Sequence, residues 1–117
     1  MITSTLSVLQ IENNSLFNEG VRALVEGLKL NRSISVLFLG SNAIECAGAL
    51  SVAELLKVNS TLVELNLESN YICREGAMAL AESLKTNSSV TDLSLDNNGI
   101  DSTTYEEIKR ISNDRIV

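Results

Sequence analysis

The strongest constraint on this chain is a stretch of 28 residues that it writes four times. Leu6, Ile34, Leu62 and Val90 open the copies, followed by Leu9, Leu37, Leu65 and Leu93, and then by Ile11, Leu39, Leu67 and Leu95. An asparagine comes next in every copy (Asn14, Asn42, Asn70, Asn98), and after it Leu16, Ile44, Ile72 and Ile100. A fixed period of about 20 to 50 residues marks one supersecondary unit that cannot bury its apolar face alone. Such units stack on their neighbours to form a solenoid.

Each unit divides in two. The LxxLxL half alternates apolar and variable residues, which is a short strand with its leucines on one face. The second half changes period: Ala49, Val52, Ala53 and Leu56, then Ala77, Leu80, Ala81 and Leu84, fall at helical spacing and make an apolar stripe. Strands separated by helices lie parallel. The expected fold is therefore an α/β solenoid, a short curved right-handed superhelix. Strands sit about 4.8 Å apart and packed helices about 8–10 Å apart. That mismatch bends the stack by roughly 20–30° per repeat, placing the sheet on the concave face and the helices on the convex face.

The motif LxxLxLxxNxI, then Gly, then a segment such as AMALAESLKTN, resembles the ribonuclease-inhibitor-like subfamily of leucine-rich repeats. The uniform spacing most resembles the repeat domains of NOD-like receptors, with ribonuclease inhibitor and the Ran GTPase-activating proteins as looser relatives. The resemblance covers Leu6 to Val117. It implies repeats at 6–33, 34–61, 62–89 and 90–117 in one domain, after a lead at 1–5. Because this architecture hosts many unrelated roles, what it implies for function is only recognition of a protein.

The fourth copy departs from the pattern. Thr104 stands where Gly20, Gly48 and Gly76 recur, and TYEEIKRISNDRIV carries charge where earlier helices carry alanine. An end repeat must show water a face that internal repeats bury, so Tyr105 to Val117 is expected to be a C-terminal cap. The first copy has no such shield. Its strand should be an open edge that self-associates or exchanges its amides quickly.

Composition excludes several classes. With a net charge of −6 and no run of basic residues, a nucleic-acid backbone is a poor partner. The chain has no histidine, which removes the commonest general base and metal ligand together. No apolar run approaches the roughly 20 residues of a membrane span, and the N-terminus does not read as a signal peptide, so a cytoplasmic setting is expected. In that setting Cys46 and Cys73, one position apart in the repeat frame, are expected as free thiols, with a disulfide conceivable. The sequons at Asn13, Asn31, Asn59 and Asn87 then have a structural reading, the last three as left-handed caps beyond the helices. The recurrent glycines read as sites of close packing, since a phosphate-cradling loop needs several glycines and usually a lysine.

Without histidine, no Ser-His-Asp or Cys-His set is possible, and no catalytic residue, cofactor site or metal site is assigned. The leading expectation is a non-enzymatic module that binds a protein through the concave sheet. Strand alternation puts Val8, Val36, Phe38, Glu64, Asn66, Glu68, Asp92 and Asp96 among the outward positions, apolar in the first half and acidic in the second. A basic protein partner suits that pattern, with Phe38 as anchor. Asn14, Asn42, Asn70 and Asn98 are assigned to a structural ladder that satisfies buried backbone groups. From fold analogy come the alternatives: GTPase activation with an arginine such as Arg22, Arg74 or Arg110, an oligomerising scaffold, or a piece of a larger repeat receptor.

Overall fold

The computed structural model describes residues 6–117, so the lead at 1–5 lies outside the described residues. Four strand–helix units follow one another: β1 (Val8–Gln10), α1 (Phe17–Leu28), β2 (Val36–Phe38), α2 (Cys46–Val58), β3 (Glu64–Asn66), α3 (Arg74–Ser83), β4 (Asp92–Ser94) and α4 (Ser102–Ile111). The strands form one parallel sheet in chain order, each paired with the next at an offset of one repeat: Leu9 faces Leu37, Leu37 faces Leu65, and Leu65 faces Leu93. The body measures 49 × 29 × 17 Å.

The core lies between the sheet and the helices. Leu37, Leu39, Leu65, Leu67, Leu93 and Leu95 are at most 1% exposed, and they meet the helical stripe of Val52, Leu56, Ala77, Leu80 and Leu84. Leu9 and Ile11 are only half-buried, which corrects their assignment to the core alongside their counterparts. A strand in this fold is sealed from both sides, and among the described residues nothing stacks on the outer side of β1.

The asparagine row ties each repeat to the one before it. The Asn70 amide nitrogen donates to the carbonyls of Leu67 at 2.9 Å and of Leu39 in the preceding repeat at 3.2 Å. Its oxygen accepts from the N–H groups of Asn42 and Ile44 at 2.9 and 3.0 Å. Asn42 and Asn98 bond to the repeats before them in the same way. A turn buried by stacking would otherwise strand these backbone groups, each at a cost of about 1–3 kcal/mol. Asn14 instead bonds within its own turn, donating to Ile11 and Glu12.

The second row, Asn31, Asn59 and Asn87, does not form left-handed caps. Asn59 is extended, with φ −94° and ψ 133°. Its side chain works instead: the oxygen accepts from Thr61 and Leu62 N–H at 2.9 and 2.8 Å, turning the chain into the next strand. Asn31 and Asn87 do the same. The Asn87 amide also donates to the carbonyls of Leu56 and Asn59, so this row is a second inter-repeat ladder. A left-handed row lies elsewhere, at Asn13, Ser41, Ser69 and Asn97, where each strand turns toward its helix.

The end of the fourth repeat also differs from a simple charged helix. Helix α4 ends at Ile111, left-handed Asn113 and Asp114 reverse the chain, and the last residues run back along β4. Leu93 pairs with Ile116, with Leu93 N–H donating to Arg115 O at 2.8 Å and Val117 N–H donating to Leu93 O at 2.9 Å. Ile116 is fully buried. The outer edge of the sheet is thus closed by backbone.

Close packing accounts for the recurrent glycines. A Cβ on Gly48 would come within 2.6 Å of Ile44 Cγ2, and one on Gly76 within 2.8 Å of Ala49 Cβ. Neither has a positive φ, so space and not conformation requires them.

Candidate functional site: the open face of the sheet

The face of the sheet opposite the helices carries side chains in rows set by the register. Val8, Val36, Glu64 and Asp92 make one row, and Gln10, Phe38, Asn66 and Ser94 the next. Beyond the strand ends, Glu12, Gly40, Glu68 and Asp96 occupy equivalent positions one repeat apart. Val8 and Asp92 are exposed, while Val36, Phe38, Glu64 and Asn66 are half-buried by their neighbours on the sheet.

The four acids divide into two kinds. Glu64 and Asp92 are direct register partners, and among the described residues neither meets a cationic group. Glu68 is held in place: Asn66 Nδ2 donates to its Oε2 at 3.2 Å, and its own N–H donates to Asn66 Oδ1 at 2.9 Å. Asp96 accepts from the Tyr105 hydroxyl at 3.2 Å, and that hydroxyl also reaches the Val117 carbonyl at 2.6 Å. Burial first, then the charge and hydrogen bond of Asp96 and the charge of Glu68, push the Tyr105 phenol up to about 12. The acidic patch is therefore two pairs with different duties, a distinction that the spacing of the residues does not carry.

At the C-terminal ends of the strands the rows converge on a depression of about 220 Å³, lined by Glu12, Phe38, Gly40, Asn66 and Glu68 with Asn13, Ser41 and Ser69 at the turns. Sequence reasoning singled out Phe38, Asn66 and Glu68 but did not connect them with Glu12 and Gly40. The signal was present as a missing side chain: Gly40 stands where the other repeats carry Glu12, Glu68 and Asp96.

The helical face holds a second feature. At one repeat position, adjacent helix N-termini are joined by two different chemistries, and a pair of opposite charges stands at the third place. Asn18 Oδ1 accepts from the N–H groups of Glu45 and Gly48 at 2.9 and 3.0 Å, capping α2 from the preceding repeat. Cys46 and Cys73 form a disulfide across a Cα–Cα distance of 5.2 Å, which corrects the expectation of free thiols. The one-position offset is the reason: stacking puts the first residue of α2 against the N-cap of α3. At the third place stand Arg74, which pairs with Glu107 at 3.6 Å, and Asp101, whose carboxyl is held below its usual range by hydrogen bonds from the Thr104 side chain and backbone N–H, with a smaller contribution from the Arg74 charge.

Cys46, Cys73 and Glu75 also bring their potential ligand atoms within 4.8 Å of one another, a grouping the spacing did not reveal. The thiolates needed to hold a metal are spent in the disulfide. The arginines named by fold analogy are scattered. Arg22 lines a shallow hollow with Asn18, Glu19, Ala47 and Ser51, Arg74 pairs with Glu107 at 3.6 Å, and Arg110 is exposed on α4. No two of them share a site.

A leucine-rich repeat family model matches residues 58–81, from the end of α2 through most of α3. No curated protein matches the chain. Among solved structures, the chain is similar to actin-binding site 2 of leiomodin-1, at 26% identity and a TM-score of 0.84, over 92% of this chain and 64% of that one. It is also similar to the C-terminal domain of Caenorhabditis elegans tropomodulin, at 25% identity and a TM-score of 0.78, again over 92% of this chain and 64% of that one. The chain thus spans under two thirds of the length of either. Its strand–helix repeats, its single parallel sheet and these neighbours make it a leucine-rich repeat α/β solenoid.

Proposed function

We propose that the chain is a protein-recognition module whose open sheet face binds a basic segment of a protein partner. The observation that carries this reading is the pair Glu64 and Asp92, like charges in direct register. Like charges opposite one another on neighbouring strands are destabilising. Protection of the sheet edge would be the ordinary reason to keep them, but Arg115 to Val117 already closes that edge with backbone. A cationic partner relieves the repulsion and supplies the reason for both. Val8 and Val36 extend the same row as apolar contact, and Phe38 offers an aromatic anchor beside it.

The test is a selection from a random peptide display library against the labelled protein, with amide shifts mapping each ligand. Basic sequences that perturb Val36, Glu64 and Asp92 support the reading. Ligands that perturb only α1 to α4 sink it.

A second reading has a specific observation behind it. The likeness to the leiomodin-1 fragment covers 92% of this chain, and that fragment is an actin-binding site. Actin is therefore a candidate partner, and co-sedimentation with filaments together with binding to monomers checks it directly. The ribonuclease-inhibitor-like subfamily and the NOD-like receptor resemblance belong with these proposals, as do self-association through β1 and a binding rather than catalytic role. The cytoplasmic setting does too. A chain kept there would hold Cys46 and Cys73 as facing thiols, so a thiol titration of protein taken from its own compartment decides the matter.

A further inference from the structure

We infer that the depression around Gly40 is a pocket for a guanidinium group, the seat of one arginine side chain from the partner. The inference rests on the reading of the open face as a protein-binding surface and names the chemistry that one part of it selects.

The argument begins with the missing side chain. The repeat position at Glu12, Glu68 and Asp96 carries a carboxylate, but in the second repeat it is Gly40. Gly40 is buried, and its φ is not positive, so backbone freedom does not explain it. A Cβ there would lie 3.2 Å from the Glu68 carbonyl oxygen, 3.8 Å from Asn66 Oδ1 and 3.9 Å from Glu12 Cγ. The glycine leaves a notch between Glu12, just beyond β1, and Glu68, just beyond β3.

The notch is rich in carboxylate, with the Ser41 and Ser69 hydroxyls and the Asn13 side chain at its rim. Glu12 and Glu68 bring the two carboxylates, while the Glu68 carbonyl already accepts from Ser41 N–H at 3.0 Å and from the Asn70 amide at 3.2 Å. The Asn66 amide nitrogen is turned onto Glu68 Oε2, and its oxygen, which accepts from Glu68 N–H, lies on the Gly40 side. Guanidinium is the side-chain group with five donors and no acceptor, in a planar fork that fits carboxylates. Phe38 also borders the hollow, and the two carboxylates suit the planar fork of a guanidinium better than a compact ammonium. Left-handed Asn13, Ser41 and Ser69 form the rim, each turning the chain away at the end of its strand. The hollow, about 220 Å³, is large enough for a side-chain head.

The experiment titrates agmatine, which carries a guanidinium and an ammonium on one four-carbon stem, into isotope-labelled protein, with putrescine, the same stem with an ammonium at both ends, as the charge-matched arm. Saturable shifts confined to Gly40, Ser41, Asn66, Glu68 and Ser69, stronger for agmatine than for putrescine, support the inference. Glu12→Gln should weaken agmatine about tenfold, the loss of one charge-assisted contact. Gly40→Ala should abolish its binding. Equal shifts from both amines, or shifts spread over surface acids such as Glu26, Glu54 and Glu82, overturn the pocket. The two readings separate cleanly. If display-selected peptides bind the open face but tolerate Gly40→Ala and Glu12→Gln, the pocket falls and the recognition surface stands. If agmatine fills the notch while no peptide uses the face, the reverse holds.

Discussion

Arg115 Nη1 donates to the carbonyl of Asn87 at 2.7 Å, across one repeat period. Its Nη2 reaches the carbonyl of Leu84. These are the two carbonyl positions that Asn87 itself satisfies one repeat earlier, at Asn59 and Leu56. Arg115 occupies the next place in the row Asn31, Asn59, Asn87, and its guanidinium stands in for the asparagine amide. The fourth repeat thus continues the buried ladder with a residue whose charged end tolerates the half-exposed position at the end of the stack.

The first prediction follows from that substitution. Arg115→Ala leaves the Asn87 and Leu84 carbonyls without their donor and should cost about 1–3 kcal/mol in urea denaturation. It should also release the tail, exposing the Leu93 amide to exchange. An unchanged midpoint would mean that water replaces the guanidinium at no cost.

The core predicts a gradient. Leu65 is enclosed by repeats on both sides, so Leu65→Ala should cost about 2–5 kcal/mol and lower the melting of the whole domain. Leu9 holds the same repeat position but is half-buried, and Leu9→Ala should cost distinctly less. Equal losses would show that β1 is sealed by something beyond the described residues.

The helix-end seam supplies a third. Cys46 and Cys73 close a loop with a sequence separation of 27, for which chain entropy suggests about 3.5 kcal/mol. Reduction, or the double change Cys46→Ser and Cys73→Ser, should lower the urea midpoint accordingly. The equivalent positions one repeat on carry the opposite charges of Arg74 and Asp101, so the pair Cys46→Arg and Cys73→Asp should recover part of the loss under reducing conditions. If the charged pair is no better than the serine pair, the two places are not interchangeable.

Much of this architecture is legible in the residues because the period is unbroken. Leu37, Leu65 and Leu93 fall into register by spacing alone, and a stacked strand–helix unit has few other ways to bury them. Asn70 is legible as a ladder residue for the same reason. The errors lie where one residue type serves two geometries. Asn59 fits a left-handed cap by type, yet its side chain does more by bonding Thr61, Leu62 and the preceding repeat. The cysteine pairing depended on which helix N-terminus stacks against which, and no local pattern encodes that. Of the open face, the rows are readable from alternation, but not that Asp96 belongs to Tyr105 or that Gly40 opens a hollow. Those depend on contacts across repeats whose partners the period aligns without naming.

Tyr105 links the cap to solution pH. Its phenol is raised from 10.0 to about 12, so the folded state holds the proton that the unfolded chain gives up first. Stability from this group is complete below pH 10 and is lost as pH rises through the interval up to about 12. In a Tyr71→Phe background, absorbance should show Tyr105 ionising late, and Asp96→Asn should bring it back toward 10.0 by removing the adjacent charge. An Asp96→Asn titration identical to the parent would place the cause in burial and the Glu68 charge.

The last prediction separates the two acidic pairs. Glu64 and Asp92 stand in register with no cation among the described residues, so Glu64→Gln with Asp92→Asn relieves repulsion and should leave the domain at least as stable. Glu68 and Asp96 hold Asn66 and Tyr105, so Glu68→Gln with Asp96→Asn should weaken the strand ends and the cap slightly, by the modest net worth of a surface hydrogen bond. Binding should sort the pairs the other way. A basic peptide selected on the open face should associate more slowly with the Glu64 and Asp92 double variant, and its association rate should lose much of its salt dependence. Phe38→Ala should act chiefly on dissociation, since it removes contact and not charge. Stopped-flow association at two ionic strengths reads all of these. If neutralising Glu64 and Asp92 destabilises the fold while leaving association untouched, the pair is structural after all and the carrying observation for the binding face is lost.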